Sequence, residues 1–211
     1  MSSTAYNAQG ASLKIGATAT GKTITGISKA NPAVVTATAH GFADGDVVKV
    51  TAVVGMVEIN NKVGVVTVVD ANNFKLNGIN STSYTTWSSG GTATPTQVTL
   101  GNFKGWSGFA GQLSDIDVTD LASVAKEFRA GLVDNGELQL DVQTLDTDEG
   151  QMALIGSRAA SGPASAFVLT FANGKTRTFN GYCKQFSENG AVDAVIMSQA
   201  TIRITGPVTR G

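Results

Sequence analysis

Along this chain apolar and polar positions alternate in short runs, and Gly, Asn or Asp cuts each run after a few residues. Val, Ile, Thr and aromatic side chains crowd the runs, which is the composition of half-buried strands joined by tight turns. The pattern predicts strands over residues 12–16, 23–27, 33–37, 47–53, 62–69, 74–76, 98–103, 136–143, 166–171, 176–184 and 194–204. Alternation is cleanest near the end, where Ile202 and Ile204 share one face and Thr201, Arg203 and Thr205 the other. A mainly β protein follows.

Residues 147–159 break the two-residue period. They open with Asp148 and Glu149, carry Met152, Leu154 and Ile155, and close with Arg158. Acids first and a base last complement the helix dipole, and Met152 to Ile155 has the three-residue spacing of one helical face. A second pattern, diluted by Thr, Ser and Val, predicts a short helix over 120–129, capped by Thr119 or Asp120 and stopped before Gly131.

The chain has 211 residues and is 42% hydrophobic, enough apolar mass for one large all-β domain or two small ones. Its charge is almost balanced, 15 Lys+Arg against 16 Asp+Glu, so it lacks the basic face that duplex binding by phosphate neutralisation needs. The single cysteine, Cys183 between Tyr182 and Phe186, cannot close an internal disulfide and reads as a small buried thiol. No apolar run reaches the roughly 20 residues of a membrane-spanning helix. Residues 1–10 are small and polar, without a secretion signal's basic start and apolar middle, and read as a flexible arm on a protein made in the cytoplasm.

Two stretches differ in character. Residues 31–94 are rich in Val, Thr, Asn and Gly and hold the only histidine, whereas 115–149 carries ten acids against Lys126 and Arg129. Several motifs suggest chemistry. Residues 16–23 match the phosphate-loop pattern ending in Lys22 and Thr23, and the apolar run 65–69 precedes Asp70 as a magnesium-site strand does. A phosphate loop must open a helix, and the following Ile24, Thr25, Gly26 and Ile27, with Pro32 beyond, make a poor one. A hairpin turn between strands is the expected structure there. His40 has no second histidine with which to share a metal. Asp44 and Asp46 lack the later glutamate of a calcium loop and read as turn carboxylates. No Gly-x-Ser-x-Gly elbow occurs, and Cys183 has only His40 as a possible base. The expectation is no catalysis, no cofactor and no metal.

A family resemblance enters at residues 114–137. Asp115, Ile116, Asp117, Val118, Thr119, Asp120, Leu121, Ala122 and Ser123, running on to Phe128 and then to Gly131, Leu132, Val133, Asp134, Asn135, Gly136 and Glu137, resemble the signature of the tail tube (major tail) proteins of long-tailed bacteriophages. There an aspartate-rich DxT loop leads to GLxDxGE and then to a strand. The helix after Asp148, the strand around Phe167, the turn at Asn173-Gly174-Lys175 and the strands at 179–186 and 202–206 follow in the order this resemblance implies, with 12–16 and 23–27 as the first strands. Residues 29–94 resemble a different unit. Ala39-His40-Gly41-Phe42, Asp44-Gly45-Asp46, Asn60-Asn61-Lys62, Asp70-Ala71-Asn72-Asn73-Phe74 and Gly90-Gly91-Thr92 look like a small β-barrel module of phage virion proteins, named after the first catalytic-cysteine half-domain of ubiquitin-activating enzymes. The stretch holds no cysteine, so no ubiquitin chemistry is expected.

The resemblance implies a tail-tube-like β-sandwich or half-open barrel with one flanking helix, formed by 1–28 and 95–211, plus a small inserted all-β barrel module at 29–94 serving as decoration or spacer. It implies a structural virion protein assembled in the host cytoplasm. Six copies would pair edge to edge into rings that stack as a hollow tube for DNA, alongside tape measure, terminator and tip proteins. The loop 111–134, with Asp115, Asp117, Thr119, Asp120, Ser123 and Phe128, and the arm 1–10 are the expected ring-stacking elements. Glu137 and Asp141, which share alternation parity, are the expected lumen charges. Another β-rich virion part (head decoration, tail terminator or tip) and a carbohydrate-binding module using Trp87 and Trp106 remain the competing readings.

Overall fold

The computed structural model describes residues 8–17, 19–159 and 164–211. The expected class is the observed one, mainly β with one α-helix among the described residues. The strands are β1 (Ser12–Ile15), β2 (Lys22–Thr23), β3 (Gly26–Ile27), β4 (Ala33–Thr36), β5 (Val47–Val54), β6 (Val63–Val68), β7 (Asn73–Asn77), β8 (Ser89–Pro95), β9 (Val98–Thr99), β10 (Phe103–Gly108), β11 (Gln112–Asp117), β12 (Phe128–Asp134) and β13 (Glu137–Gln143). Helix α1 (Glu149–Ala159) follows, then β14 (Ser165–Thr170), β15 (Thr176–Asn189) and β16 (Met197–Arg210).

Two seven-stranded antiparallel sheets hold most of the chain. The first runs β10-β13-β16-β15-β14-β1-β9 and the second β2-β8-β5-β6-β7-β4-β3. In each, the two end strands are neighbours in sequence, so each sheet curls until one bent segment serves both of its ends. In the first sheet the corner at 100–102 carries the ladder across, with Leu100 N donating to Leu13 O at 2.8 Å and Gln143 N to Asn102 O at 3.0 Å. Asn102 turns the chain at φ 54°, a left-handed conformation that Asn tolerates well. In the second, Ile24 N donates to Gly91 O at 2.9 Å and Thr25 N to Thr36 O at 2.8 Å. At these corners the closure satisfies backbone groups that an open edge would leave unpaired.

Residues 23–27, expected as one strand of the outer domain, instead contribute to β2 and β3 of the second sheet, which pair with β8 and β4. The link 16–21 joins two different sheets and is not a hairpin turn; no helix follows it, and Thr18 lies outside the described residues.

The helix has the expected place but buries a different stripe. Gly150, Ala153, Leu154 and Ser157 are buried and Ile155 is exposed, so small residues, not Met152 and Ile155, set the contact. The reason is closeness, because α1 lies between β15 and the second sheet. A Cβ on Gly45 would stand 2.8 Å from Ser157 N, and Gly156 packs against Val65. Val47 and Val65 of the second sheet accordingly join the core of the first, with Leu13, Leu140, Leu154, Phe167 and Ile202. The second core, around Val35, Val50, Met56, Phe74 and Leu76, closes inside its own barrel.

The start of the helix seals the barrel corner. Asp148 Oδ1 accepts from Gln151 N at 2.8 Å, as an N-cap does, and from Gly101 N at 3.1 Å. Gln151, buried, accepts from Leu145 N at 3.0 Å and donates to Gln143 O at 2.9 Å. Its carboxamide thus satisfies backbone that the corner leaves without strand partners.

The expected helix at 120–129 does not form, and 111–134 is not a loop. The segment is a hairpin of β11 and β12, separate from both sheets. A helix there would have no apolar surface against which to bury a face, and helices this short depend on such burial.

Candidate assembly interface

Four strands of the first sheet, β10, β13, β16 and β15, align in full rows. Ser107, Gln139, Thr201 and Gln185 form one; Trp106, Leu140, Ala200 and Phe186 the next; Gly105, Asp141, Gln199 and Ser187 a third. The middle row turns into the core, where Leu140 and Ala200 are buried. The outer two turn Gln139, Asp141, Gln185 and Gln199 to the surface, a face of amides and hydroxyls.

Glu137 and Asp141, expected on one face, do share it. Glu137 is neutralised by Lys184 Nζ at 2.8 Å, whereas Asp141 accepts from Gln199 Nε2 at 3.1 Å and forms no ion pair among the described residues. Arg203 Nη2 meets Asp134 Oδ2 at 2.6 Å beside them.

Among the described residues, both flanks of this four-stranded array lack a strand partner over the same rows. β15 leaves β14 after Gly181, and from there to Asn189 it pairs only with β16; the Cys183 amide donates to Ser157 Oγ at 3.3 Å. β10 pairs only with β13. Beside it runs a groove of about 550 Å³ lined by Gln9, Gly10, Phe103, Lys104 and Trp106. Of the expected arm, residues 1–7 lie outside the described residues.

The β11–β12 hairpin projects from the end of the β10–β13 pair. Its register puts Asp115 opposite Ala130, Asp117 opposite Phe128 and, past a bulge in β12, Leu113 opposite Val133, so these side chains share one face, acidic and apolar together. Gly131 sits where a Cβ would approach Ser114 O at 2.9 Å, which lets the strand bulge there. At the tip, Asp120 Oδ1 accepts from Ala122 N at 2.8 Å and from Ser123 Oγ at 3.2 Å, a side-chain-closed turn. Hydrogen bonds from the Thr119 hydroxyl and amide hold the Asp117 carboxyl below its ordinary value. All six residues expected for stacking thus lie on this one hairpin, three on a single face and three at the turn. Leu121 and Val124 at the tip, and Leu132 on the strand, stand in solvent at 109%, 105% and 88% exposure, far beyond what a finished surface shows. Sequence reasoning missed the exposed apolar set, although Leu113, Ile116, Leu121, Val124 and Leu132 are visible between the acids.

The residues that suggested chemistry have structural places. His40 is buried between Phe42 and Phe74; its Nδ1 accepts from Phe42 N at 3.0 Å and its Nε2 donates to Asp70 O at 2.9 Å, which sets the tautomer. Asp46 accepts from Ala43 N and closes a turn, whereas Asp44 accepts from Val68 N and ties that turn to the end of β6. Burial pushes the Cys183 thiol up to about 11, away from a nucleophile's range. Trp87 Nε1 donates to Gly90 O at 3.0 Å, and Trp106 stacks between Phe103 and Phe171. Trp87 anchors a loop to the second core, and Trp106 packs from β10 onto the first.

Residues 30–97, about a third of the chain, match the family described as the ubiquitin-activating enzyme E1 FCCH domain. This is the module that the residues at 39–92 resembled, and the match takes in β4 to β8. No curated protein matches. Solved structures resemble part of the fold at low identity. The 6-fold symmetrised baseplate of the anti-feeding prophage aligns over 55% of this chain and 84% of its own, at 12% identity and TM-score 0.44. The sheath/tube terminator of an extracellular contractile injection system, PVC, aligns over 54% and 86%, at 11% identity and TM-score 0.43. Its extended sheath-tube complex aligns over 54% and 82%, at 12% and 0.43. TM-scores this low do not establish a shared fold.

Proposed function

We propose that this chain is a structural subunit of a long-tailed bacteriophage, the building block of its tail tube. Copies join side by side into rings, and rings stack into a hollow cylinder. One observation carries the reading: among the described residues, the array β10-β13-β16-β15 ends on both sides in strands without outer partners, over the same rows. An even number of antiparallel strands leaves β10 and β15 pointing in opposite directions, so β15 of one copy meets β10 of the next in antiparallel pairing. Repeating that heterologous contact by rotation closes a ring. The sequence resemblance sets the ring at six copies.

In such a ring the amide-and-hydroxyl face lines the channel. Its carboxylates are largely matched by Lys184 and Arg203, leaving Asp141, so the paired cations of this face give passing DNA little hold. The hairpin is the ring-to-ring element, and the compact FCCH-like barrel, closed on itself, decorates the tube. Tape measure protein and tail terminator or tip proteins are its partners in the virion. No catalysis is assigned to it.

Negative-stain electron microscopy of the concentrated protein tests this. Long uniform tubes are expected. Isolated rings or trimers favour a terminator or head decoration, and a persistent monomer rejects assembly altogether.

A further inference from the structure

Arg177 and Arg210 stand directly opposite each other on β15 and β16. Like charges in register across strands repel and destabilise the pair unless a carboxylate sits between them. None does: the ion pairs among the described residues are Lys184–Glu137 and Arg203–Asp134, and the residues outside that set contain no Asp or Glu. Lys175 adds a third cation in the adjoining turn, and no acid occurs anywhere in residues 150–187 or 194–211. Arg177 also lies 5.0 Å over the ring of Phe171, which stacks on Trp106, so the cations border half-buried aromatic surface.

The hairpin has the opposite character. Setting aside Asp134, which pairs with Arg203, it bears Asp115, Asp117, Asp120 and Glu127 against Lys126 and Arg129. Asp115 and Asp117 share their face with Phe128 and, across the bulge, with Leu113 and Val133. Within one chain the acidic-apolar face and the basic-aromatic end form no ion pair with each other. Each lacks what the other displays.

We infer that the Asp115/Asp117/Phe128/Val133 face of the hairpin docks on the Lys175/Arg177/Arg210 end of another copy of this chain. The inference rests on the tube-subunit reading and names the receptor for its stacking hairpin. Carboxylates brought between Arg177 and Arg210 relieve their repulsion, and Phe128 and Val133 cover aromatic surface beside them. Binding of this kind weakens as salt rises.

The test is charge exchange in the full chain, read by sedimentation velocity for association and by electron microscopy for shape. Asp115→Lys with Asp117→Lys, and separately Lys175→Glu with Arg210→Glu, should each reduce association at least tenfold. All four substitutions in one chain should restore most of it. The neutral pair Lys175→Gln with Arg210→Gln, compared by thermal unfolding, serves if the reversed receptor fails to fold, and should weaken association without loss of stability. Folded single-side variants that associate normally, or an exchange that restores nothing, overturn the inference and leave the ring reading standing. Restored association into closed dimers without tubes supports the inference and overturns the tube. A wild-type chain that stays monomeric at high concentration overturns both.

Discussion

The Asp134 carboxylate meets the Arg203 guanidinium at 2.6 Å, tying the root of the projecting hairpin to the central strand β16. Asp134 also accepts from Gly136 N at 2.8 Å, and Asn135 Nδ2 donates to Gly206 O at 2.8 Å, so the point where the hairpin leaves the barrel is held from several directions.

That clasp is pH-dependent. The Gly136 amide first, and then Arg203, hold the Asp134 carboxyl below its usual range. A carboxyl depressed on folding stabilises above its unfolded value, near pH 4, and loses that stabilisation as pH falls through the folded value. Asp134→Asn should therefore lower the urea midpoint slightly at neutral pH, and the difference from wild type should shrink toward zero by about pH 2. An equal difference at both pH values would show that the carboxylate's charge plays no part.

The seam between the two barrels gives a second prediction. Gly45 has φ +84°, and a Cβ there would stand 2.8 Å from Ser157 N and 2.9 Å from Ser157 Cα. Gly41, at φ +68°, has nothing within 4 Å of the same position. Gly45→Ala should cost about 2–4 kcal/mol, left-handed strain plus overpacking, whereas Gly41→Ala should cost about 1 kcal/mol, strain alone. Chemical denaturation of both variants compares them directly. Equal losses would mean that the FCCH-like barrel is not seated on α1 in solution.

Edge pairing between copies is open to cross-linking. In a chain carrying Cys183→Ala, Ser107→Cys on β10 combined with Gln185→Cys or Ser187→Cys on β15 should oxidise between copies into a ladder on denaturing gels. Side chains opposed across neighbouring strands lie within disulfide reach. Either residue alone, with no cysteine opposite it in a heterologous contact, should leave monomers on the same gels. Absence of a ladder for both combinations, with assembly intact, would place the ring contact elsewhere.

Legibility followed burial. The strand over 137–143 was readable because Leu138, Leu140 and Val142 point inward and Glu137, Gln139 and Asp141 outward, so the pleat writes itself into the letters. The same parity put Glu137 and Asp141 on one face. The hairpin was not readable as strands, since β11 is exposed along its whole length and β12 almost so. With neither face buried, no alternation was selected. The helix's extent was legible from Asp148, Glu149 and Arg158, but not its contact stripe, because Gly150, Ala153 and Ser157 owe their burial to the closeness of neighbours far away in sequence.

Taken alone, the order of residues determined the β class, the position of the helix, the inserted module and the acidic segment that became the hairpin, all of them local or compositional properties. Only the tertiary structure decided that each sheet closes through one bent segment, that residues 22–27 belong to the inner barrel, and that β10 and β15 lack outer partners along matching rows among the described residues. Those outcomes depend on which distant strands meet, as when Ile15 meets Val98 and Phe167. Pairing across such separations is settled by the packing of the whole chain, which no local window contains.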